Sequence, residues 1–296
     1  MSFDPTQFID REFEQELFEE LLRFDTPKRI LAIRDMGGMG KSHLLERLEY
    51  RCRTVKPRIP VSVIALDQLE DCSPLSLVKT IAEHLSGRFK LNFESFKRYE
   101  GARQLGNFSI ISGSVYLQAA NFTDAEGVRI AATIVEKANV VVSSGGSLLT
   151  QEQEKTARQV VVDSFFDDLQ QICANEPLVI MFDAYEKCDR SLQEWIMNYL
   201  LERYFFNDTY PPQARYAFVV AGREIPHFLS RWSAEEYQRL VKSIDELRKW
   251  EKRHVEECLR VHGFNYGQEY VDLFYQLIER GKPPSAVIQA MKLFFE

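Results

Sequence analysis

The chain has 296 residues, 45% of them hydrophobic and 27% charged, ordinary proportions for one large or two average globular domains. Its formal net charge of −7 and its pI near 5.5 argue against a broadly basic surface for nucleic-acid phosphates. No run approaches the roughly 18 uncharged apolar residues that cross a bilayer. The acidic opening MSFDPTQFIDREFEQELFEE lacks the apolar core of a secretory signal, so a cytoplasmic protein with no membrane partner is expected.

Apolar residues at helical spacing predict a first helix over 8–23, broken at TPKR. ILAI then reads as a short buried strand, followed by the glycine loop DMGGMGKS and a helix from about Ser42 to Arg53. IPVSVIALD (59–67) is a second strand, and SPLSLVKTIAEHLSG a helix with a serine start and a glycine stop.

Residues 89 to about 150 break this rhythm and read as an insertion. Within it NFSIISGSVYLQA alternates like a strand or hairpin, and ANVVVSSGGSLL is an apolar burst before a flexible tract. The basic segment 88–103 is expected to be a solvated helix or loop. A long helix over 152–175 restores the pattern. LVIMFD follows as a strand, SLQEWIMNYLLERYF as a helix, YAFVVAGRE as another strand, and a fifth strand is expected near YQRLVKSI. From about Asp245 only helices are predicted. Strands alternating with helices imply a mostly parallel sheet between helical layers.

Five cysteines (Cys52, Cys72, Cys173, Cys188 and Cys258) and five scattered histidines show no metal-ligand spacing. The chemistry instead gathers on the glycine loop. Backbone N–H groups can surround a polyphosphate only where side chains stay clear, and a following helix start adds a positive dipole end. Gly37, Gly38 and Gly40 supply the bare backbone, Lys41 an ammonium group and Ser42 a hydroxyl for Mg2+. The pattern G-x-x-x-x-G-K-[ST] fails at its first position, where Asp35 stands. A carboxylate 4 Å from a phosphate oxygen costs about 4 kcal/mol at an effective dielectric near 20. A working site therefore requires Asp35 to point away; tolerance of left-handed backbone is one reason an aspartate could survive there.

Two strand ends add to the loop. Asp183 closes the apolar run LVIMF, where an acid can hold Mg2+ through water, and Glu186 could polarise an attacking water. Arg223, just past YAFVVAG, could reach a γ-phosphate or instead form a surface ion pair with Glu224 or a neighbour.

FIDRE, DMGGMGKSHLL, LVIMFDAYE, VVAGRE and ERGKPPSAV occur in the order seen in STAND-class signalling ATPases. These are the NB-ARC and NACHT relatives within the AAA+ branch of P-loop proteins, and the chain resembles them over most of its length outside the insertion. The resemblance implies a P-loop NTPase three-layer α/β sandwich over 1–244, with the insertion at about 89–150, and an all-α lid over 245–296. It implies that ATP or ADP lies on residues Gly37, Gly38, Met39, Gly40, Lys41, Ser42 and His43, with Ile9 and Arg11 near adenine. It further implies Mg2+ at Ser42 and Asp183, Arg223 at the γ-phosphate, and Gly281 and Pro283 in the lid. Asp10, Asp35 and the D-x-x-E spacing of Asp183 and Glu186 depart from the family pattern, and the last makes nucleotide binding a firmer expectation than fast hydrolysis.

The expected function is an ATP-driven signalling switch with slow Mg-dependent hydrolysis, acting on a protein partner and forming nucleotide-dependent homo-oligomers. Two rivals are a DNA-associated initiator-type AAA+ ATPase, which the acidic pI disfavours, and a non-hydrolysing scaffold that works through the insertion. Because the sequence stops soon after the lid segment, a stand-alone switch and a truncated core are both open readings.

Overall fold

The structure, a computed structural model, describes Pro5 and residues 8–104, 108–111, 114–117, 151–203 and 215–295. In chain order the elements are α1 (Glu12–Leu22), β1 (Ile30–Arg34), α2 (Lys41–Thr54), β2 (Val61–Ala65), α3 (Pro74–Phe89), α4 (Glu94–Gln104), β3 (Phe108–Ile111), β4 (Ser114–Leu117) and α5 (Gln151–Asn175). They continue with β5 (Leu178–Asp183), α6 (Arg190–Trp195), which runs on as a π-turn segment over Ile196–Leu201, and β6 (Tyr216–Gly222). The last are α7 (Ala234–Leu240), β7 (Val241–Ile244), α8 (Lys252–Val261), α9 (Gln268–Glu279) and α10 (Pro284–Phe295). The chain divides into a larger unit, Met1–Cys72 with Glu176–Glu296, and a smaller one, Ser73–Asn175.

The larger unit is built on a five-stranded sheet in the order β2-β5-β6-β1-β7, with every pairing parallel. Parallel strands are covered on both faces and so need continuous apolar runs. That is why all of β6 and residues 178–182 of β5 are buried. Edge strand β7 needs less, and only its Val241 and Ile244 are buried. α2 packs on β2, β5 and β6, and α1 on β1.

The strand order creates the crevice that matters. The chain leaving β1 must travel past β6 and β5 to reach β2, whereas the chain leaving β6 passes β1 to reach β7. Two neighbouring strands whose exits diverge leave a gap above their C-terminal ends, the usual ligand position in open α/β sheets.

The C-terminal part is helical. Val255, Cys258 and Leu259 of α8, Val271, Phe274 and Ile278 of α9, and Val287 and Met291 of α10 form one apolar core with Trp250. Ile9, from the opposite end of the sequence, is buried in that same core.

In the smaller unit α3 begins on Ser73, whose hydroxyl accepts the Ser76 N–H at 3.2 Å with Pro74 in the first turn. The start of α4 is held from α5, where buried Asp168 accepts from Phe96 N at 2.9 Å and from Ser95 N at 3.3 Å. Phe93 stacks on Phe165 with ring centroids 5.4 Å apart. Most of the basic segment is helical, and two of its arginines are paired: Arg103 meets Glu100 at 2.7 Å and Glu154 at 2.9 Å, and Arg98 meets Glu94 at 3.5 Å. β3 and β4 pair antiparallel, as the alternation of NFSIISGSVYLQA predicts.

Some expected boundaries need correction. The glycine stop of α3 fails: the helix runs through Gly87 to Phe89 and ends where Lys90 turns left-handed at φ 60°. A solvated glycine costs a helix only about 1 kcal/mol, too little to end it. The first helix starts at Glu12 rather than residue 8, because Asp10 and Arg11 adopt φ of 70° and 81°. YQRLVKSI is half helix, since the Ser233–Glu236 capping box starts α7 and leaves only 241–244 as strand. The expected tract ANVVVSSGGSLL lies outside the described residues.

Candidate functional site

Above the crevice, residues 35–40 link β1 to α2. Gly38 and Gly40 sit at φ 79° and 93°, a region that costs an L-residue about 1–2 kcal/mol. A side chain on Gly38 would also run into Ser285 Oγ and come within 3.3 Å of Pro283. Among the described residues, no protein acceptor takes the backbone N–H groups of Gly37 to His43. The first four belong to the loop and the last three to the opening turn of α2, whose N–H groups have no intrahelical acceptor. This is the donor set that an anion at a helix start requires.

Around these donors lies a cavity of about 240 Å3. Gly37, Gly38, Gly40, Lys41, Ser42 and His43 line it from the loop and α2, and Asp183, Ala184, Glu186, Gly222 and Arg223 from the ends of β5 and β6. Ser285 at the start of α10 completes the lining. A second hollow of about 590 Å3 is lined by Asp35, Met36, Gly37, Gly38, Arg223 and Ser285. Lys41, Ser42, Asp183, Glu186 and Arg223, from three separate stretches of the sequence, are thus brought to one place.

Their charges interlock. Lys41 Nζ donates to the carbonyls of Asp35 and Met36, both at 2.7 Å. Burial pushes its pKa below the ordinary lysine value, while Asp35, Glu186 and Asp183 act in the opposite sense. Asp183 Oδ1 accepts from Ala184 N at 2.8 Å, an arrangement that goes with the left-handed φ of 54° at Ala184. Glu186 Oε2 accepts the Arg223 N–H at 2.9 Å, and Oε1 lies 3.8 Å from Arg223 Nε. The partner of Arg223 is therefore Glu186 rather than Glu224. Its guanidinium still reaches the loop, because a Cβ on Gly37 would lie 2.7 Å from Nη2.

The Asp35 carboxylate is taken up by two backbone N–H groups other than those of Gly37 to His43. Its Oδ2 accepts the Leu247 N–H at 2.8 Å and its Oδ1 accepts from Met36 N at 2.6 Å. Left-handed backbone plays no part, since Asp35 is not among the positive-φ residues. The residue is kept by the donors it satisfies.

Ile9 and Arg11 are not in the lining of either cavity. Arg11 is buried; Nη2 donates to the Met39 carbonyl at 2.7 Å and Nη1 to the Arg248 carbonyl, with Asp10 at 3.4 Å and Glu14 at 3.9 Å. Met39 thus meets Arg11 through its carbonyl. Pro283 lies against Gly38, and Gly281 takes φ 79° after α9. Ser285, whose N–H donates to Gly38 O at 3.3 Å, carried no sequence signal beyond its place after the two prolines.

Asp10, Glu12 and His254 place ligand-type atoms within 4.8 Å of one another. His254 Nδ1 accepts the Glu251 N–H at 2.9 Å. The neutral ring therefore carries its proton on Nε2, the atom that faces Asp10 at 3.8 Å, and has no lone pair there for a metal.

No protein-family model matches the chain, and no curated protein matches it. Solved structures do. A Walker-type ATPase of Pyrococcus abyssi is similar over 94% of this chain and 67% of that one, with 14% identity and a TM-score of 0.50. The ORC2 protein of Aeropyrum pernix, determined as ADPNP-ADP complexes, is similar over 98% of this chain and 64% of that one, with 10% identity and a TM-score of 0.45. At such identities the likeness concerns fold, and the first comparison carries it. The chain has the α/β fold of the P-loop ATPases, with a five-stranded parallel sheet and a helical C-terminal region. Among the described residues no helix is long and apolar enough to cross a membrane.

Proposed function

We propose that the chain is an ATP-binding switch of the STAND type that hydrolyses ATP slowly. The observation that carries this reading is the single cavity shared by the loop N–H groups, Lys41, Ser42, Asp183, Glu186 and Arg223. In this reading Gly37 to His43 receive the phosphates, and Lys41 leaves the loop carbonyls for a phosphate oxygen. Arg223 distinguishes triphosphate from diphosphate. The donor set of Ser42 hydroxyl and Asp183 carboxylate fits Mg2+, a hard cation that prefers oxygen ligands and retains water. Bound there, it would neutralise charge on the phosphates.

The remaining elements of the proposal follow from the family resemblance. Residues 1–244 bind nucleotide and 245–296 act as the lid, with Pro283 and Ser285 already against Gly38. ATP would favour one lid arrangement through its differential affinity for the two. A protein partner, nucleotide-dependent self-association and a cytoplasmic setting belong to the same proposal.

Calorimetric titration with ATP tests it. Wild-type protein should bind at micromolar concentrations and Lys41→Ala should lose at least a hundredfold; unchanged affinity in the variant overturns the reading.

A second reading, the non-hydrolysing scaffold, is favoured by one observation. Glu186 is engaged by Arg223, and the residue directly after Asp183 is Ala184, which cannot act as a base. Tight ATP binding with no phosphate release, unaltered in Glu186→Gln, would select this reading over slow hydrolysis.

A further inference from the structure

The two ends of the phosphate loop are tied to two adjacent residues beyond β7, Leu247 and Arg248. At the front, Asp35 Oδ2 holds the Leu247 N–H at 2.8 Å in a buried hydrogen bond. At the back, Arg11 joins the Met39 carbonyl to the Arg248 carbonyl, and Glu14 Oε1 accepts from Arg248 N at 3.3 Å. Leu247 itself is 2% exposed, and three residues later Trp250 enters the helical core. The path from loop to helices is therefore short, and its contacts at Asp35 and Met39 are buried.

We propose that Asp35 is a positioning residue that reports the occupancy of the phosphate loop to residues 247–250 and through them to α8. The inference rests on the ATP-binding reading and adds the residue that couples it to the tail. Asp35 is suited to this because one residue carries both ends of the relay. Its carbonyl, with that of Met36, holds Lys41 Nζ, and its carboxylate holds Leu247. A polyphosphate competes for Nζ with a charge-assisted bond stronger than one to neutral carbonyls. Once Nζ leaves, the two carbonyls lose their cation and residues 35–36 can re-seat. The carboxylate cannot simply let go, because a buried N–H without an acceptor is costly. Leu247 therefore moves with Asp35, or both settle in a new position. A glycine here, as the common loop pattern has, would leave Leu247 N–H untethered and remove the connection.

Amide hydrogen exchange of the full chain, resolved at Leu247 and over 252–261, provides the test, with and without Mg-ATP. In wild type, Leu247 should be protected without nucleotide and its rate should change at least fivefold with ATP. In Asp35→Ala, Leu247 should exchange at least tenfold faster without nucleotide, and the ATP-dependent change over 252–261 should fall below a third of the wild-type one. Asp35→Asn keeps one acceptor oxygen for two N–H groups and should fall between, which also covers an alanine variant that does not fold. A wild type that binds no ATP overturns this inference and the ATP-binding reading together. A wild type that binds ATP, with a tail response undiminished in Asp35→Ala and Asp35→Asn, overturns this inference alone.

Discussion

Arg223 and Arg11 each stand beside a carboxylate at the phosphate loop, yet their surroundings assign them opposite tasks. The Arg223 side chain is 62% exposed, with one loose contact to Glu186. The Arg11 side chain is 4% exposed, and both of its terminal nitrogens are committed to backbone carbonyls. An exposed ion pair contributes about 0–1 kcal/mol, whereas removing one member of a buried pair costs about 3–5 kcal/mol. Exposure leaves Arg223 free to meet a ligand; burial makes Arg11 part of the frame that shapes the loop.

The comparison breaks most sharply under truncation. Arg11→Leu should destabilise the protein by about 3–5 kcal/mol, because Asp10 and Glu14 lose their partner in a buried setting. Arg223→Leu should shift the urea midpoint by the equivalent of less than about 1 kcal/mol. Equal shifts in the two unfolding curves would show that the distinction is false.

Nucleotide binding should reverse the ranking. Arg223→Ala should leave ADP affinity nearly unchanged and weaken ATP binding by about tenfold, close to 1.4 kcal/mol and typical of one charge-assisted hydrogen bond. Parallel titrations with the two nucleotides measure this, and an equal loss for both would remove the γ-phosphate role. Comparable in size, Gly38→Ala places a methyl group at φ 79° against Ser285 and Pro283. It should cost about 1–2 kcal/mol in backbone strain alone, read as a lower melting temperature.

The same contrast explains what the sequence could convey. The loop, the strand-end Asp183 and Arg223 were legible because a continuous apolar run followed by a polar residue fixes where a buried parallel strand ends. The antiparallel pairing of 108–111 with 114–117 was legible from the alternation. Arg11 was legible as a family motif but not as a buried tether, since its partners are carbonyls at Met39 and Arg248, and carbonyls have no residue signature. The use of Asp35 was hidden for the same reason: its partner is the N–H of a residue 212 positions away. Ser285 reaches the cavity only because the turn at Gly281 sets α10 against Gly38.

The smallest expected effect concerns Lys41 and pH. Burial lowers its pKa, with Asp35, Glu186 and Asp183 offsetting part of the shift. Only the charged ammonium binds phosphate well, and a bound polyphosphate stabilises that charge, so binding takes up a proton once the free protein's Lys41 begins to lose its own. Because the free value is depressed, the decline in ATP affinity should begin below the ordinary lysine pKa of about 10.4 and steepen toward tenfold per pH unit above the free value. An arginine stays charged to beyond about pH 12, so Lys41→Arg should bind less tightly at neutral pH yet give a flatter profile on the alkaline side. Calorimetric affinities of both proteins across the alkaline range measure the difference. Parallel profiles would assign the alkaline loss to another group and leave Lys41 charged throughout.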